Sequence, residues 1–115
     1  MRRLSVGDLR HRITIEKPSE QQSKSGAVIP IWEVAAIVWA EKQDLSGREY
    51  LQAQQVESLI STRFRIRYRG DITPNMRVKY GINYYSIEAV LDPDGLKREL
   101  HLMCKAGGLG HEDKS

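Results

Sequence analysis

Four arginines at alternate positions, Arg63, Arg65, Arg67 and Arg69, give this 115-residue chain its densest run of one-sign chemistry. In SLISTRFRIRYR they share one face of an extended segment, while Ile60, Thr62, Phe64, Ile66 and Tyr68 share the other. Guanidinium groups two residues apart on a strand stand roughly 7 Å from each other. They repel, so such a face requires acidic cross-strand partners, open solvent or an external polyanion. Three readings of the face stay open: a solvated surface paired with carboxylates such as Glu88 or Glu99, a protein interface, or a contact with nucleic-acid phosphates.

Other reactive residue types are sparse. His101 and Cys104 lie three apart, which on a strand puts them on opposite faces and argues against a shared metal. Cys104 reads as a small buried hydrophobe and His101 as a residue of the solvated face. The acidic residues are scattered, no nucleophile–base motif is visible, and there is no Gly-rich phosphate loop. The expectation is a non-enzyme with no cofactor and no metal. The aromatics Trp32, Trp39, Tyr68, Tyr80, Tyr84 and Tyr85 could stack bases beside the arginines. The alternative is that Trp39, Phe64 and Tyr68 build the core, since Phe64 and Tyr68 fall opposite the arginine face.

The elements that must position these residues follow from periodicity. Leu9, His11, Ile13 and Ile15 alternate with polar residues as a first strand ending at Pro18. Residues 18–30, PSEQQSKSGAVIP, are bracketed by prolines and read as a long exposed loop, most mobile over 19–26, with Ser23, Lys24, Ser25 and Gly26 at its centre. Ile31 to Gln43 reads as a second strand, apolar on both faces near Val34–Trp39, with a helix as the competing assignment. Ser46 followed by Glu49 resembles a capping box and opens a short helix over 47–55. After the arginine strand, Met76–Tyr80 and Tyr85–Leu91 form a hairpin, Asp92-Pro93-Asp94-Gly95 a turn, and Leu100–Cys104 a last strand. About six strands at meander spacing close most easily into a small antiparallel barrel or sandwich, an all-β domain over residues 1–106. Residues 107–115 read as a disordered tail.

Composition bounds the function classes. The length fits one domain. A net charge of +3 with pI near 9.1 is mildly basic, so the position of the charge matters more than its sum. A single cysteine excludes an intramolecular disulfide. The longest apolar run, Val34–Ala40, is far too short to span a membrane, and no membrane contact is expected. The chain reads as soluble and untargeted.

Several segments in order resemble the head-tail joining, or head closure, proteins of tailed bacteriophages and prophages. They are Gly7-Asp8-Leu9-Arg10-His11-Arg12-Ile13-Thr14-Ile15, Val38-Trp39-Ala40, Ser46-Gly47-Arg48-Glu49, Arg65-Ile66-Arg67-Tyr68 and Tyr84-Tyr85-Ser86-Ile87. The resemblance covers nearly all of residues 4–104. It implies a small β-barrel with a long loop, a structural virion part without catalytic residues, and a homo-oligomeric ring at the head–tail connector. Such a ring closes the DNA exit channel, meets portal, adaptor and tail proteins, can touch packaged DNA, and is assembled in the bacterial cytoplasm. On that reading Arg63, Arg65, Arg67, Arg69 and the loop residues Ser23, Lys24, Ser25 and Gly26 are candidate interface positions. A small barrel that binds nucleic acid through Arg63–Arg69 and the tyrosines is the alternative.

Overall fold

Six antiparallel strands close into a barrel in the order β1-β2-β3-β6-β5-β4. The computed structural model describes residues 4–45 and 60–107. A 3-10 turn at Val6–Asp8 precedes β1 (His11–Gln22), β2 (Val28–Asp44), β3 (Thr62–Arg67), β4 (Arg77–Tyr80), β5 (Asn83–Leu91) and β6 (Glu99–Ala106). The expected helix at 47–55 and the tail from 108 onward lie outside the described residues.

Period-two alternation sends one set of side chains into the barrel. Ile13 and Ile15 of β1, Ala36 and Ala40 of β2, Phe64 and Ile66 of β3, Val78 of β4, Ile87 of β5 and Leu100, Leu102 and Cys104 of β6 form the core. Phe64 has no exposed surface and meets Tyr85 edge to face, with ring centroids 5.1 Å apart. Burying such a ring contributes about 1.5–3 kcal/mol. Ala36 and Ala40 are the small members of this set, and they make room for Ile13 and Ile15 on the paired strand.

Residues 18–30 do not form one long loop; only 23–27 turn the chain. β1 and β2 stay in register from His11–Ala40 out to Gln22–Val28, so most of this stretch is a two-stranded ribbon. β4 leaves β1 at Glu16, and β3 pairs with β2 only over Glu41–Asp44. From Lys17 to Glu33 the hairpin therefore projects from the barrel as an arm. Six residues of strand reach ~20 Å, and the molecule measures 52 × 27 × 25 Å. Pro18 pairs with Trp32 and Pro30 with Glu20 inside the ribbon. Proline is tolerated there because, among the described residues, each arm strand has a partner on one side only, so an N–H is dispensable on the other.

A β-bulge between Ile15 and Glu16, opposite Ala36 and Val34, marks the root of the arm. Bulges bend and twist a ribbon, and this one sits where the hairpin leaves the barrel wall. β2 also departs from the expectation of cover on both sides, since Val34, Ile37 and Trp39 are each more than half exposed on its outward face.

Candidate functional site

The arginine ladder is engaged within the barrel wall at Arg63 and Arg65, exposed at Arg67 and paired locally at Arg69. Arg63 donates to Gln43 Oε1 from both Nε and Nη2. Arg65 is only 3% exposed and donates from Nη1 to Glu41 at 2.8 Å and from Nη2 to Glu99 at 3.1 Å. Arg67 is exposed at the end of β3. Arg69 lies beyond the strand and makes a two-pronged pair with Asp71, Nε at 3.0 Å and Nη2 at 2.9 Å. Hydrogen bonding to that carboxylate, set against some loss of solvation, raises the Arg69 pKa and lowers that of Asp71. The ladder is thus no uniform contact face, because Glu41 and Glu99 on the flanking strands neutralise its centre.

His101 belongs to the same outward cluster and corrects a second expectation. It is buried at 3% exposure, with Nε2 2.9 Å from Glu99 Oε1. The backbone N–H of Leu4 donates to Glu99 Oε2 at 3.0 Å, so the N-terminal segment lies over this part of β6 and shields it from water. Burial pushes the Glu99 pKa up, but hydrogen bonds from His101, Leu4 and Arg65 outweigh it, and the carboxyl sits below its ordinary value. Burial lowers the pKa of His101, and the bond to Glu99 offsets this only in part.

Cys104 points into the core, as expected, and burial pushes its thiol pKa far upward. It donates weakly to the Leu102 carbonyl at 3.4 Å. Among the described residues no group of three or more His, Cys, Asp or Glu could hold a metal ion. Of the aromatics assigned to the core, Phe64 is there. Trp39 is 53% exposed and Tyr68, past the end of β3, is 36% exposed.

The arm turns at the residues singled out in the sequence. Ser23 N–H donates to the Ala27 carbonyl at 2.8 Å, Gly26 N–H to the Ser23 carbonyl at 3.0 Å, and Ala27 N–H to Ser23 Oγ at 3.0 Å. Gly26 takes φ of 91°, a left-handed value that closes a short hairpin loop. Lys24, Ser25 and Gly26 are exposed at the tip, some 20 Å of ribbon from the barrel wall.

Four residues fix the root of the arm: Glu16 and Arg77, to which the sequence assigned no role, and Trp32 and Tyr84, expected as candidate base-stacking aromatics. The Arg77 guanidinium lies between the rings of Trp32 and Tyr84, 4.3 and 4.1 Å from their centroids, and its Nε donates to Glu16 at 2.7 Å. Arg77 is 3% exposed. Trp32 belongs to the arm, Arg77 and Tyr84 to the barrel, so the stack pins the ribbon against the wall. Arg77 alternates with Met76 and Val78 like any outward strand residue; across the hairpin its direct partner is Ser86, and Tyr84, opposite Lys79, is its diagonal neighbour on the same face.

Comparison with known proteins agrees with this architecture. A solution structure of protein SF1141 from Shigella flexneri 2a superposes with a TM-score of 0.74 at 26% identity, over 91% of this chain and 98% of that one. A chain from the virion of a native gene transfer agent particle shares the fold, with a TM-score of 0.50 at 18% identity over 85% of this chain and 92% of its own. No curated protein sequence matches the chain. The sequence pattern of the family described as phage head completion protein matches residues 4–107, the whole barrel together with its arm. The chain belongs to the phage head completion protein family and is on that ground a structural protein of the phage head.

Proposed function

We propose that the protein assembles as a homo-oligomeric ring at the head–tail connector, closes the DNA exit channel of the filled head and joins it to the tail. Family membership supports a role in finishing the head. The observation that carries the finer reading is the arm, a ribbon from Lys17 to Glu33 that leaves the barrel wall and presents Ser23–Gly26 at its tip. Contacts around a closed ring are heterologous and need two different faces on each subunit. A barrel with a projecting ribbon has them: the arm reaches out, and the wall of a neighbour receives it. Tip residues that are small, polar and basic suit either a neighbouring subunit or the phosphates of DNA in the channel.

The nucleic-acid module reading draws less support. Arg63 and Arg65 are engaged inside the subunit and Arg69 is paired with Asp71, which leaves Arg67 as the ladder's exposed member without a carboxylate partner among the described residues.

Replacing Ser19–Ile31 by Asn-Gly would join Pro18 to Trp32 through a two-residue hairpin turn. The shortened protein should unfold cooperatively, while particles carrying it should fill their heads, fail to join tails and lose DNA. Normal infectious particles would overturn the proposal.

A further inference from the structure

β2 and β3 pair over four rungs, from Glu41–Arg65 to Asp44–Thr62, and then part. β3 ends at Arg67, whereas β2 runs back to Val28 with β1 on one side and, among the described residues, no strand on the other. An open edge accepts a further strand unless it is obstructed. Within the arm it is obstructed by Pro30. Between Val34 and Ala40 nothing comparable interrupts it, and Ile37 and Trp39 stand outward, each 53% exposed.

The wedge between the parting strands is a cleft of about 290 Å³ lined by Leu9, Val38, Trp39, Arg67, Tyr68 and Arg69. Val38 faces inward opposite Ile13 and forms an apolar floor. The outward rim is cationic. Arg12 lies over the Trp39 ring at 6.0 Å, Arg67 stands on the far side, and among the described residues neither has a carboxylate partner.

We infer that this wedge docks an extended segment of a partner protein in which carboxylate and aliphatic side chains alternate. The segment adds as a strand along Val34–Ala40, taking main-chain hydrogen bonds from the open edge of β2. Period two sends its carboxylates outward to Arg12 and Arg67 and its aliphatic side chains inward onto Val38 and Leu9. A nucleic acid would answer the cations and the Trp39 ring but not the backbone edge or the apolar floor. The cleft lies within one chain, so the assignment stands whether or not the subunits form a ring.

A random twelve-residue peptide library displayed on yeast, sorted against the full-length protein, tests this. Enriched sequences should alternate Asp or Glu with aliphatic residues, and the corresponding synthetic peptides should shift the amide NMR signals of Ala36–Trp39. Arg67→Glu should weaken them by about tenfold or more, and Trp39→Ala should weaken them as well. Both side chains are exposed, so unchanged thermal unfolding of the variants separates lost binding from lost fold. Absence of enrichment, enrichment of basic or neutral sequences, or equal binding to Arg67→Glu would overturn the assignment. So would self-association, or binding of a dT12 oligonucleotide, that is lost in Arg67→Glu while no acidic peptide binds.

Discussion

Arg65 and Glu99 meet diagonally across the β3–β6 ladder at 3.1 Å, on the outward side of the barrel yet almost out of contact with solvent, their side chains 4% and 8% exposed. Glu41 closes the same guanidinium from β2 at 2.8 Å. The cluster ties three neighbouring strands together, and an arginine suited by its fork to external contact is held for internal use.

Removing one partner of such a group leaves charge buried without compensation. Arg65→Gln should therefore cost about 3–5 kcal/mol of stability, and adding Glu99→Gln should recover part of the loss. Urea unfolding of the single and double variants measures both. Arg67→Gln, at the exposed end of the same strand, should change stability by less than about 0.5 kcal/mol.

Acid should destabilise the protein in two stages. His101 has its pKa lowered in the folded state from an ordinary 6.5, so the unfolded chain binds its proton first. Stability is full above that value and falls as pH drops through it toward the lower folded pKa. Glu99, lowered from 4.5, adds a second loss of the same sign below that pH. Each group alone limits the slope to about 1.4 kcal/mol per pH unit. In His101→Gln the upper stage should vanish and the lower one persist, as read by denaturant midpoints from pH 7 to pH 3.

The stack at the arm root should control the arm more than the barrel. Trp32→Ala removes one ring from the Arg77 guanidinium, at a cost of about 0.5–2 kcal/mol. Hydrogen exchange of backbone amides over Lys17–Glu33 should quicken while β3 and β6 keep their protection. Equal quickening throughout would mean that Trp32 supports the whole barrel.

Cys104 should resist alkylation. Its sulfur is fully buried and its thiol is held protonated, so iodoacetamide should react only as fast as the protein unfolds. Mass spectrometry of the alkylated fraction over a urea series gives that rate.

The strands that carry the core were legible because their inward residues are unambiguous. Ile13 and Ile15, Phe64 and Ile66, and Leu100, Leu102 and Cys104 each repeat with period two, and the barrel buries every one. The arm was not legible, because Pro18 and Pro30 look like strand terminators unless one knows that each lies on a strand paired, among the described residues, on one side only. His101 was misplaced for a related reason. Its face follows from alternation, but the cover supplied by the segment around Leu4 is a contact across 95 positions that no local pattern announces. Among the candidate site residues, Glu99 was foreseen as a partner of the arginine face, whereas Glu41 and the Trp32–Arg77–Tyr84 stack depend on which strands become neighbours.

The continuity of β1 and β2 through the arm has a mechanical side. A tug on the Ser23–Gly26 tip along the ribbon passes into the barrel through the same two chains that build its wall, with no swivel between them. The bulge at Ile15–Glu16 sets the bend and twist with which the ribbon leaves the wall, and so the line along which such a pull enters the barrel. The Arg77 stack lies beside this bulge, so arm and wall are joined there by a side-chain clamp as well as by the two backbones.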